Sequence, residues 1–391
     1  MFGINTERGD RRSLKDNMKI VYKIILGILN LIYGIMKLFR VKDRITFISR
    51  QSNEKSEDMQ LLQRELRRQM PGTEQIFLCR RLDSGIGAKL KYCFHVLKQM
   101  RYTATSKVVV LDSYCISVSA LRQRKSLVVI QMWHALGSLK KFGLSIVGEG
   151  EGRDKDIAEI FAMHRNYTYV LTSSRECVPH FAEAFGYEED RVKVLSLPRV
   201  DKLTSWEVKE DALRRIYTEY PRFREKKVVV YAPTLRVDRD ISAETAALAA
   251  AFSSPEYIFV VKKHPLTEMS FEPAGNCIID DRFTTLEMLF AADAVICDYS
   301  AVIFEAAVIG KPMFFYTFDF DTYGAERDFY IDYMKEMPGV ISPDPEELEK
   351  AVADNRYDLR RIRDFAHKYV ENQENCTKKL AAFIKEQSGR Q

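Results

Sequence analysis

The chain has 391 residues, of which 60 are basic and 55 acidic, and its formal net charge is +5. This length exceeds what one compact core can bury and suits two domains. The small net charge predicts no nucleic-acid partner, and the basic residues near the N-terminus favour an anionic membrane surface. The seven cysteines are scattered singly without a CxxC pair, which indicates reduced thiols in a cytosolic protein and predicts no metal site.

Residues 18–39 read MKIVYKIILGILNLIYGIMKLF and are followed by no small-residue cleavage site, which argues against a secretory signal. Polar and small residues recur every three or four positions and so share one helical face. They are Lys19, Lys23, Gly27, Asn30, Gly34 and Lys37. We therefore predict that residues 1–40 form an amphipathic helix in the inner membrane interface, with its lysines toward the headgroups. A helix packed on the protein body and a single membrane span are the alternatives.

From residue 44 onward, short apolar runs alternate with helix-like segments in two successive series. The strand-like runs include RITFIS (44–49), QIFLCR (75–80), KVVVLDS (107–113), LVVIQMW (127–133), YTYVLTSS (167–174), KKVVVYAPTLR (226–236), YIFVVKKHP (257–265), AVICDYS (294–300) and KPMFFYTFDF (311–320). Continuous apolar strands alternating with helices predict parallel α/β sheets covered on both faces. We predict two Rossmann-like domains that face a cleft, an acceptor domain over 41–205 and a nucleotide-binding domain over 206–391. The last helices are free to pack back on the first domain.

One strand end of the second domain is typical of an anion site. In DYSAVIFEAAVIGKP (298–312), Asp298 and Ser300 follow a buried strand, and Ser300 is placed to cap the next helix. Backbone N–H groups from Ala301 onward would then point into the cleft and suit a phosphate or diphosphate. Glu305, one turn further, could hold a ribose diol. The alternative is an ordinary capped helix with a solvated glutamate.

Two more strand ends of this domain carry groups that suit phosphate. YAPTLR supplies Thr234 and Arg236, and VVKKHP supplies Lys262, Lys263 and His264, which the following proline holds extended. Each of these side chains has an alternative role as an ordinary structural residue. Three such strand ends in one domain nevertheless favour a binding site for a phosphate-bearing ligand. No GxxxxGK[ST] or GxGxxG motif occurs, so neither a P-loop enzyme nor a nicotinamide cofactor is predicted. The acidic residues of DRD (238–240) are the only loose alternative for a metal.

The first domain offers a different chemistry at the end of VVIQMW, where WHALGSLKKFG (133–143) follows. Across the cleft from the phosphate groups, a neutral His134 could take the proton from an acceptor hydroxyl that attacks phosphorus. Gly137 would let the backbone approach a ligand, and Lys140 and Lys141 could meet an anionic acceptor. The alternative is a hydrogen-bonded structural histidine.

Together these residues resemble the CDP-glycerol glycerophosphotransferase family, the teichoic-acid primases and polymerases of Gram-positive bacteria. WHALGSLKKFG, SLPRVD, YAPTLR, KKHP, DYSAVIFEAAVIGKPMFFY and AERDFY follow the family's order over about residues 128–335. The resemblance implies a glycosyltransferase-B-like fold, a membrane-associating N-terminal region and no cofactor. It also implies His134 as catalytic base, with Arg236, His264, Ser300 and Glu305 as CDP-binding groups.

The implied reaction moves a polyol phosphate from a CDP-polyol to a hydroxyl of a lipid-linked saccharide at the cytoplasmic face of the membrane and releases CMP. Ala135, Gly137, Ala301 and Asp328 depart from the family pattern. We predict CDP-glycerol as the donor, and CDP-ribitol, which has the same CMP moiety, is the alternative. Two competing hypotheses are a sugar transferase or nucleotide-sugar epimerase of the same fold, and a catalytically silent membrane-bound scaffold for polymer assembly.

Overall fold

A computed structural model describes residues 4–83, 85–150, 152–234, 236, 239–263, 271–273, 275–326 and 328–389. Within these residues the chain forms twelve strands and sixteen α-helices. The strands are β1 (Arg44–Ser49), β2 (Glu74–Cys79), β3 (Val108–Leu111), β4 (Val128–Gln131), β5 (Tyr169–Thr172), β6 (Val192–Val194), β7 (Lys227–Ala232), β8 (Tyr257–Val261), β9 (Cys277–Ile279), β10 (Ala294–Cys297), β11 (Met313–Tyr316) and β12 (Val340–Ser342).

The helices alternate with these strands for most of the chain, and three of them close it. They are α1 (Ile4–Met36), α2 (Glu57–Gln69), α3 (Ile86–Ala104), α4 (Ile116–Ser119), α5 (Lys155–Ile160), α6 (Val178–Phe185), α7 (Arg199–Leu203), α8 (Trp206–Glu219), α9 (Ser242–Ala251), α10 (Thr285–Ala291), α11 (Val302–Val308), α12 (Phe320–Glu326), α13 (Tyr333–Glu336), α14 (Pro345–Ala353), α15 (Leu359–Tyr369) and α16 (Cys376–Gly389).

The strands form two six-stranded sheets, and every strand pair within them is parallel. The first sheet has the order β2-β1-β3-β4-β5-β6 and the second the order β9-β8-β7-β10-β11-β12. The direction of winding reverses beside β1 and β3 in the first sheet, and beside β7 and β10 in the second. Ligands of such sheets bind outside the strand ends at these reversals. The prediction of two parallel α/β domains is confirmed.

The C-terminal helices cross from the second sheet back to the first. Helix α15 packs on α11, while α16 packs on α2 and α7. The carboxylate of Asp201, in α7, accepts hydrogen bonds of 2.8 Å from the backbone N–H groups of Cys376 and Thr377. A side chain of the first half therefore caps the start of the last helix, and this helix ties the two halves together.

Helix α1 lies along the outside of the first domain and holds it by its polar face. Lys19 forms an ion pair with Asp156, and the Lys37 ammonium donates to the Arg122 carbonyl at 2.7 Å. The buried Tyr33 packs with Met100 of α3. The predicted orientation of these two lysines toward headgroups is wrong, because they bind a carboxylate and a backbone carbonyl of the protein body instead. The apolar side chains of α1 point outward instead.

Candidate active site

A pocket of about 560 Å³ lies between the two domains, at the carboxyl ends of their strands, and we call it the central pocket. This volume is in the range usual for small-molecule sites. Of the predicted site residues, it brings together His134, Lys262, Lys263, Ser300, Ala301 and Glu305. Its full lining consists of Glu57, His134, Arg199, Ala232, Pro233, Lys262, Lys263, Thr284, Thr285, Leu286, Ser300, Ala301, Val302 and Glu305.

His134 is held in the tautomer that a base requires. Its ring atom Nδ1 lies 2.8 Å from the backbone carbonyl oxygen of Asp112, which follows β3, and the Gln51 side-chain amide lies 3.2 Å from the same nitrogen. A carbonyl oxygen only accepts, so Nδ1 carries the proton and Nε2 keeps a free lone pair. Burial lowers the His134 pKa to about 4, so the ring is neutral near pH 7.

Trp133 turns the chain so that His134 leaves the strand. Its φ angle is +60°, in the left-handed region that a bulky side chain adopts only under local strain. The indole stacks on Phe142 with ring centroids 5.1 Å apart and contacts Phe185 edge to face at 5.3 Å. This aromatic packing compensates for the backbone strain. Trp133 therefore serves the site through packing, next to the catalytic candidate.

Arg199 connects the walls of the central pocket, a role that the sequence alone does not predict. Its Nε donates to the buried Asp58 at 2.8 Å, its Nη1 lies 3.4 Å from Glu305 Oε1, and its Nη2 lies 3.3 Å from the His134 carbonyl. The second oxygen of Glu305 is buried and has no hydrogen-bond partner within the described residues. Burial raises the pKa of Glu305. The SLPRVD motif is the signal in the sequence that could have identified Arg199.

The donor side of the pocket is formed by strand ends of the second domain. Ser300 Oγ accepts a hydrogen bond of 3.4 Å from the Val302 N–H at the start of α11. The Lys262 ammonium donates to Asp280 Oδ2 at 2.6 Å and to the carbonyls of Asp280 and Phe283 at 2.9 and 2.5 Å. Its three N–H bonds are thus directed into the protein, so Lys262 orders a loop of the pocket. His264 lies outside the described residues.

Thr234, Arg236 and Asp298 lie beneath the pocket in a buried network and are not among its lining residues. Arg236 donates twice to Asp319, each at 3.0 Å, and once to Asp298 at 2.7 Å. Thr234 donates to Asp298 through its N–H at 2.8 Å and its hydroxyl at 2.7 Å. The forked guanidinium, predicted to bind phosphate, thus binds carboxylates of the protein, because a buried cation needs such partners. Nothing in the sequence pattern singles out Asp319.

Gly137, Lys140 and Lys141 lie at the contact between the domains and not in the central pocket. Lys140 donates to the Tyr323 hydroxyl at 2.8 Å, and Lys141 forms an ion pair of 2.6 Å with Asp328. A Cβ atom added to Gly137 would lie 2.6 Å from the Phe304 ring. The two lysines therefore hold the second domain, and the absence of a side chain at Gly137 permits close packing.

The fold has two parallel α/β domains with a nucleotide-sized pocket between them. A neutral histidine lies on one wall of this pocket, and strand-end polar groups lie on the other. This arrangement defines a transferase of the glycosyltransferase-B-like class. The model of the CDP-Glycerol:Poly(glycerophosphate) glycerophosphotransferase family matches residues 32–385, and the chain belongs to this family. Within the described residues, no group of three or more His, Cys, Asp or Glu side chains could hold a metal ion.

Individual relatives agree with this assignment. The teichoic acid ribitol-phosphate primase of Bacillus spizizenii is 31% identical over 93% of this chain and 96% of its own. The teichoic acid glycerol-phosphate primase of Bacillus subtilis is 28% identical over 74% of this chain and 76% of its own. A solved structure of the wall teichoic acid polymerase TagF has the same fold, with a TM-score of 0.72 at 21% identity, covering 100% of this chain and 99% of that one. The predicted family, fold and transferase class are confirmed.

Proposed function

We propose that the chain transfers glycerol phosphate from CDP-glycerol to a hydroxyl of a membrane lipid-linked teichoic acid or capsule precursor and releases CMP. Polyol-phosphate transfer in teichoic acid synthesis follows from the family and from the relatives' activities. The observation that carries the mechanism is the neutral imidazole of His134, which shares the central pocket with Ser300 and Glu305 of the other domain.

In the proposed reaction, His134 Nε2 takes the proton of the acceptor hydroxyl as its oxygen attacks the phosphorus that bears the polyol. A new P–O bond forms to the acceptor, the phosphoanhydride P–O bond breaks, and CMP leaves with that electron pair. The Asp112 carbonyl accepts from Nδ1 at 2.8 Å and stabilises the imidazolium that forms. The negative charge of a bound donor raises the His134 pKa from its value of about 4 and makes it a stronger base.

The donor is proposed to lie against the second domain. Ser300, Ala301 and Val302 line the pocket, as does Lys263, two residues beyond β8. The buried Glu305 oxygen without a partner is suited to accept hydrogen bonds from the ribose hydroxyls. Arg199 keeps the other Glu305 oxygen in place from the first domain. Donor binding at Glu305 would therefore also affect Arg199 on the first wall.

Ribitol phosphate is the second candidate for the transferred group. The Bacillus spizizenii relative that this chain matches over 96% of its length is a ribitol-phosphate primase, whereas the family description names glycerol phosphate. CDP-glycerol and CDP-ribitol share the CMP moiety and differ in the length of the polyol, so one nucleotide site suits both.

The proposed location is the cytoplasmic face of the membrane, reached through an apolar outer surface. The stretch Asn17–Met36 of α1 is long and apolar enough to cross a membrane, and almost none of it is buried against the rest of the protein. Next to α1 lies α3, whose exposed Ile86, Leu90 and Phe94 recur every four residues and continue the surface that Leu82 begins. We call the exposed apolar side chains of α1 and α3, with Leu82, the outer surface. An exposed apolar patch of this kind suits the interface of a bilayer.

The experiment is CMP release from CDP-glycerol and from CDP-ribitol, with a lipid-linked disaccharide acceptor that does or does not carry a first glycerol phosphate. His134→Ala is the negative control, and His367→Ala, an exposed histidine, is the matched control. Release from one donor that only His134→Ala abolishes supports the reaction and identifies the polyol. No release with intact CDP binding would favour the silent scaffold, and no CDP binding would overturn the proposal.

A further inference from the structure

A second cavity of about 200 Å³ lies in the first domain, away from the lining of the central pocket. Two guanidinium groups, from Arg50 and Arg153, and two phenol rings, from Tyr92 and Tyr114, form its polar part. We call it the arginine cavity. It is smaller than a site for a whole nucleotide or saccharide, for which about 300–1,000 Å³ is usual, but it holds several times the ~30 Å³ share of one water molecule. Its size suits one compact charged group.

Among the described residues, the charge of the arginine cavity is positive and no carboxylate pairs with it. No Asp or Glu is among its lining residues, and in the part of the chain that the structure describes no ion pair joins Arg50 or Arg153 to a carboxylate. The nearby Asp156 pairs with Lys19, and the Asp154 side chain caps α5 by accepting from the Ile157 N–H. Two arginines without acidic partners in one cavity indicate an anionic ligand.

Arg50 is prepared to bind that anion. Its Nη1 donates to the Tyr114 carbonyl at 3.3 Å, and its Nε is buried without a hydrogen-bond partner. Its guanidinium lies 5.9 Å from the Tyr92 ring centroid and 6.0 Å from that of Tyr114, and the Arg153 guanidinium lies 5.4 Å from Tyr114. Aromatic contacts of this kind orient a guanidinium while leaving N–H groups at its edge for an oxyanion. The guanidinium N–H groups that the Tyr114 carbonyl does not engage are left for a phosphate oxygen.

The arginine cavity is built from the same two strand ends that hold His134. Arg50 directly precedes Gln51, whose amide lies 3.2 Å from His134 Nδ1, and Tyr114 is two residues beyond Asp112, whose carbonyl lies 2.8 Å from it. The Arg50 N–H also donates to Ser113 Oγ at 3.1 Å, which joins the two strand ends. A ligand in the arginine cavity is therefore next to the segments that position the catalytic candidate.

The other side of the arginine cavity meets the outer surface. Leu82 and Tyr92, one before α3 and one within it, line the cavity, and Leu82 is exposed. Phe161, also in the lining, contacts Tyr22 of α1 with ring centroids 5.4 Å apart. The cavity thus lies between the apolar side chains of α1 and α3 and the loops that hold His134.

We propose that the arginine cavity binds the phosphate or diphosphate through which the acceptor saccharide is joined to its membrane lipid. The apolar chain would leave past Leu82 toward the bilayer, and the saccharide would extend past Gln51 to His134. This inference rests on the proposed function, because it supplies the acceptor subsite of that reaction.

The test is acceptor kinetics of the full chain bearing Arg50→Gln, Arg153→Gln or both, with Arg101→Gln, an exposed arginine of α3, as matched control. Two acceptors are compared, a lipid diphosphate saccharide and the same saccharide as a methyl glycoside. For the lipid diphosphate acceptor we expect KM to rise at least tenfold in each single variant and further in the double. The Kd for the CDP-polyol, vesicle binding and turnover of the glycoside should stay within twofold of wild type.

Unchanged KM for the lipid diphosphate acceptor would overturn the inference, as would an equal loss with the glycoside. Loss of binding to vesicles containing anionic phospholipid, with normal acceptor KM, would assign the cavity to a phospholipid headgroup and also overturn it. A direct measurement guards against misfolding: farnesyl diphosphate should raise the Tm of the wild type but not of Arg50→Gln, while CDP raises both. A wild type that transfers from no donor to either acceptor would instead refute the proposed function.

Discussion

His134 on the first wall of the central pocket and the strand-end groups on the second wall are held by different means. On the first wall, His134 is neutral, and the Asp112 carbonyl and the neighbouring Trp133 ring orient it. On the second wall, the groups below Ser300 are charged, and Arg236 with two aspartates forms a buried ionic network. His134, which must exchange a proton, has no ion-pair partner among the described residues. The groups that shape the second wall are instead fixed by ion pairs. Substitutions on the two walls should therefore differ in kind: one class should affect turnover and the other stability.

The largest effect is expected for His134→Ala, which removes the base of the first wall. We expect kcat to fall by about 10²–10⁴, the usual contribution of a positioned acid or base. The Kd for CDP should change less than threefold, because the donor groups belong to the other domain. CMP release and isothermal calorimetry measure the two quantities, with His367→Ala as control. A large loss of CDP affinity in His134→Ala would contradict this division between the walls.

Arg236→Ala tests the second wall and should act on folding. It leaves the buried carboxylate of Asp298 without a cation and that of Asp319 with only the more distant Arg239, a change that typically destabilises by about 3–5 kcal/mol. Urea unfolding measures the effect, and Arg239→Gln, which removes a more exposed partner of Asp319, should have a small one. An unchanged unfolding midpoint with weakened CDP binding would restore Arg236 to its predicted role as a phosphate ligand.

Acid should destabilise the first wall. The His134 pKa is about 4 in the folded chain against 6.5 for an ordinary histidine. Between these values the unfolded chain binds a proton that the folded chain does not, so the contribution of His134 is fully present above pH 6.5 and is lost toward pH 4. The difference corresponds to roughly 3 kcal/mol. His134→Gln, whose amide can still donate to the Asp112 carbonyl, should lose correspondingly less stability over this range. Parallel curves for the two proteins would show that His134 is already solvated.

The fold could be predicted because continuous apolar strands such as VVVL and AVIC are stable only when both faces of the sheet are covered. The carboxyl ends of these strands then indicated the edge of the sheet at which the pocket lies. The sequence placed His134 and Ser300 in that pocket because each follows its strand by three residues, and Glu305 because it lies in the first turns of the helix that follows Ser300. It could not give side-chain directions. Whether Arg236 binds a ligand or Asp319, and whether Lys140 points to a pocket or to Tyr323, depends on long-range packing of residues distant in the chain. The same is true of Arg199.

The smallest of the expected effects concerns the place where the two walls touch. Gly137 follows His134 by three residues, and an added Cβ would lie 2.6 Å from the ring of Phe304, the neighbour of Glu305. That ring is buried and stacks on Phe365 with centroids 5.7 Å apart, so it has little room to move. We expect Gly137→Ala to cost about 1–3 kcal/mol, as overpacking of a core does. Gly72→Ala, where nothing lies within 4 Å of the added atom, is the control.

A double-mutant cycle shows whether the cost of Gly137→Ala arises from this contact. In a Phe304→Leu background the added methyl group has space, so the two substitutions together should destabilise the protein by less than the sum of their separate effects. Additive effects would locate the strain elsewhere in the loop after His134. If the contact also sets the distance between the walls, Gly137→Ala should lower kcat several-fold while the pH dependence of stability that His134 produces stays unchanged. A loss of that pH dependence would mean instead that the loop after His134 had moved and exposed the imidazole. The contact at Gly137 would then act on His134 through the backbone, and not only through the distance between the two walls.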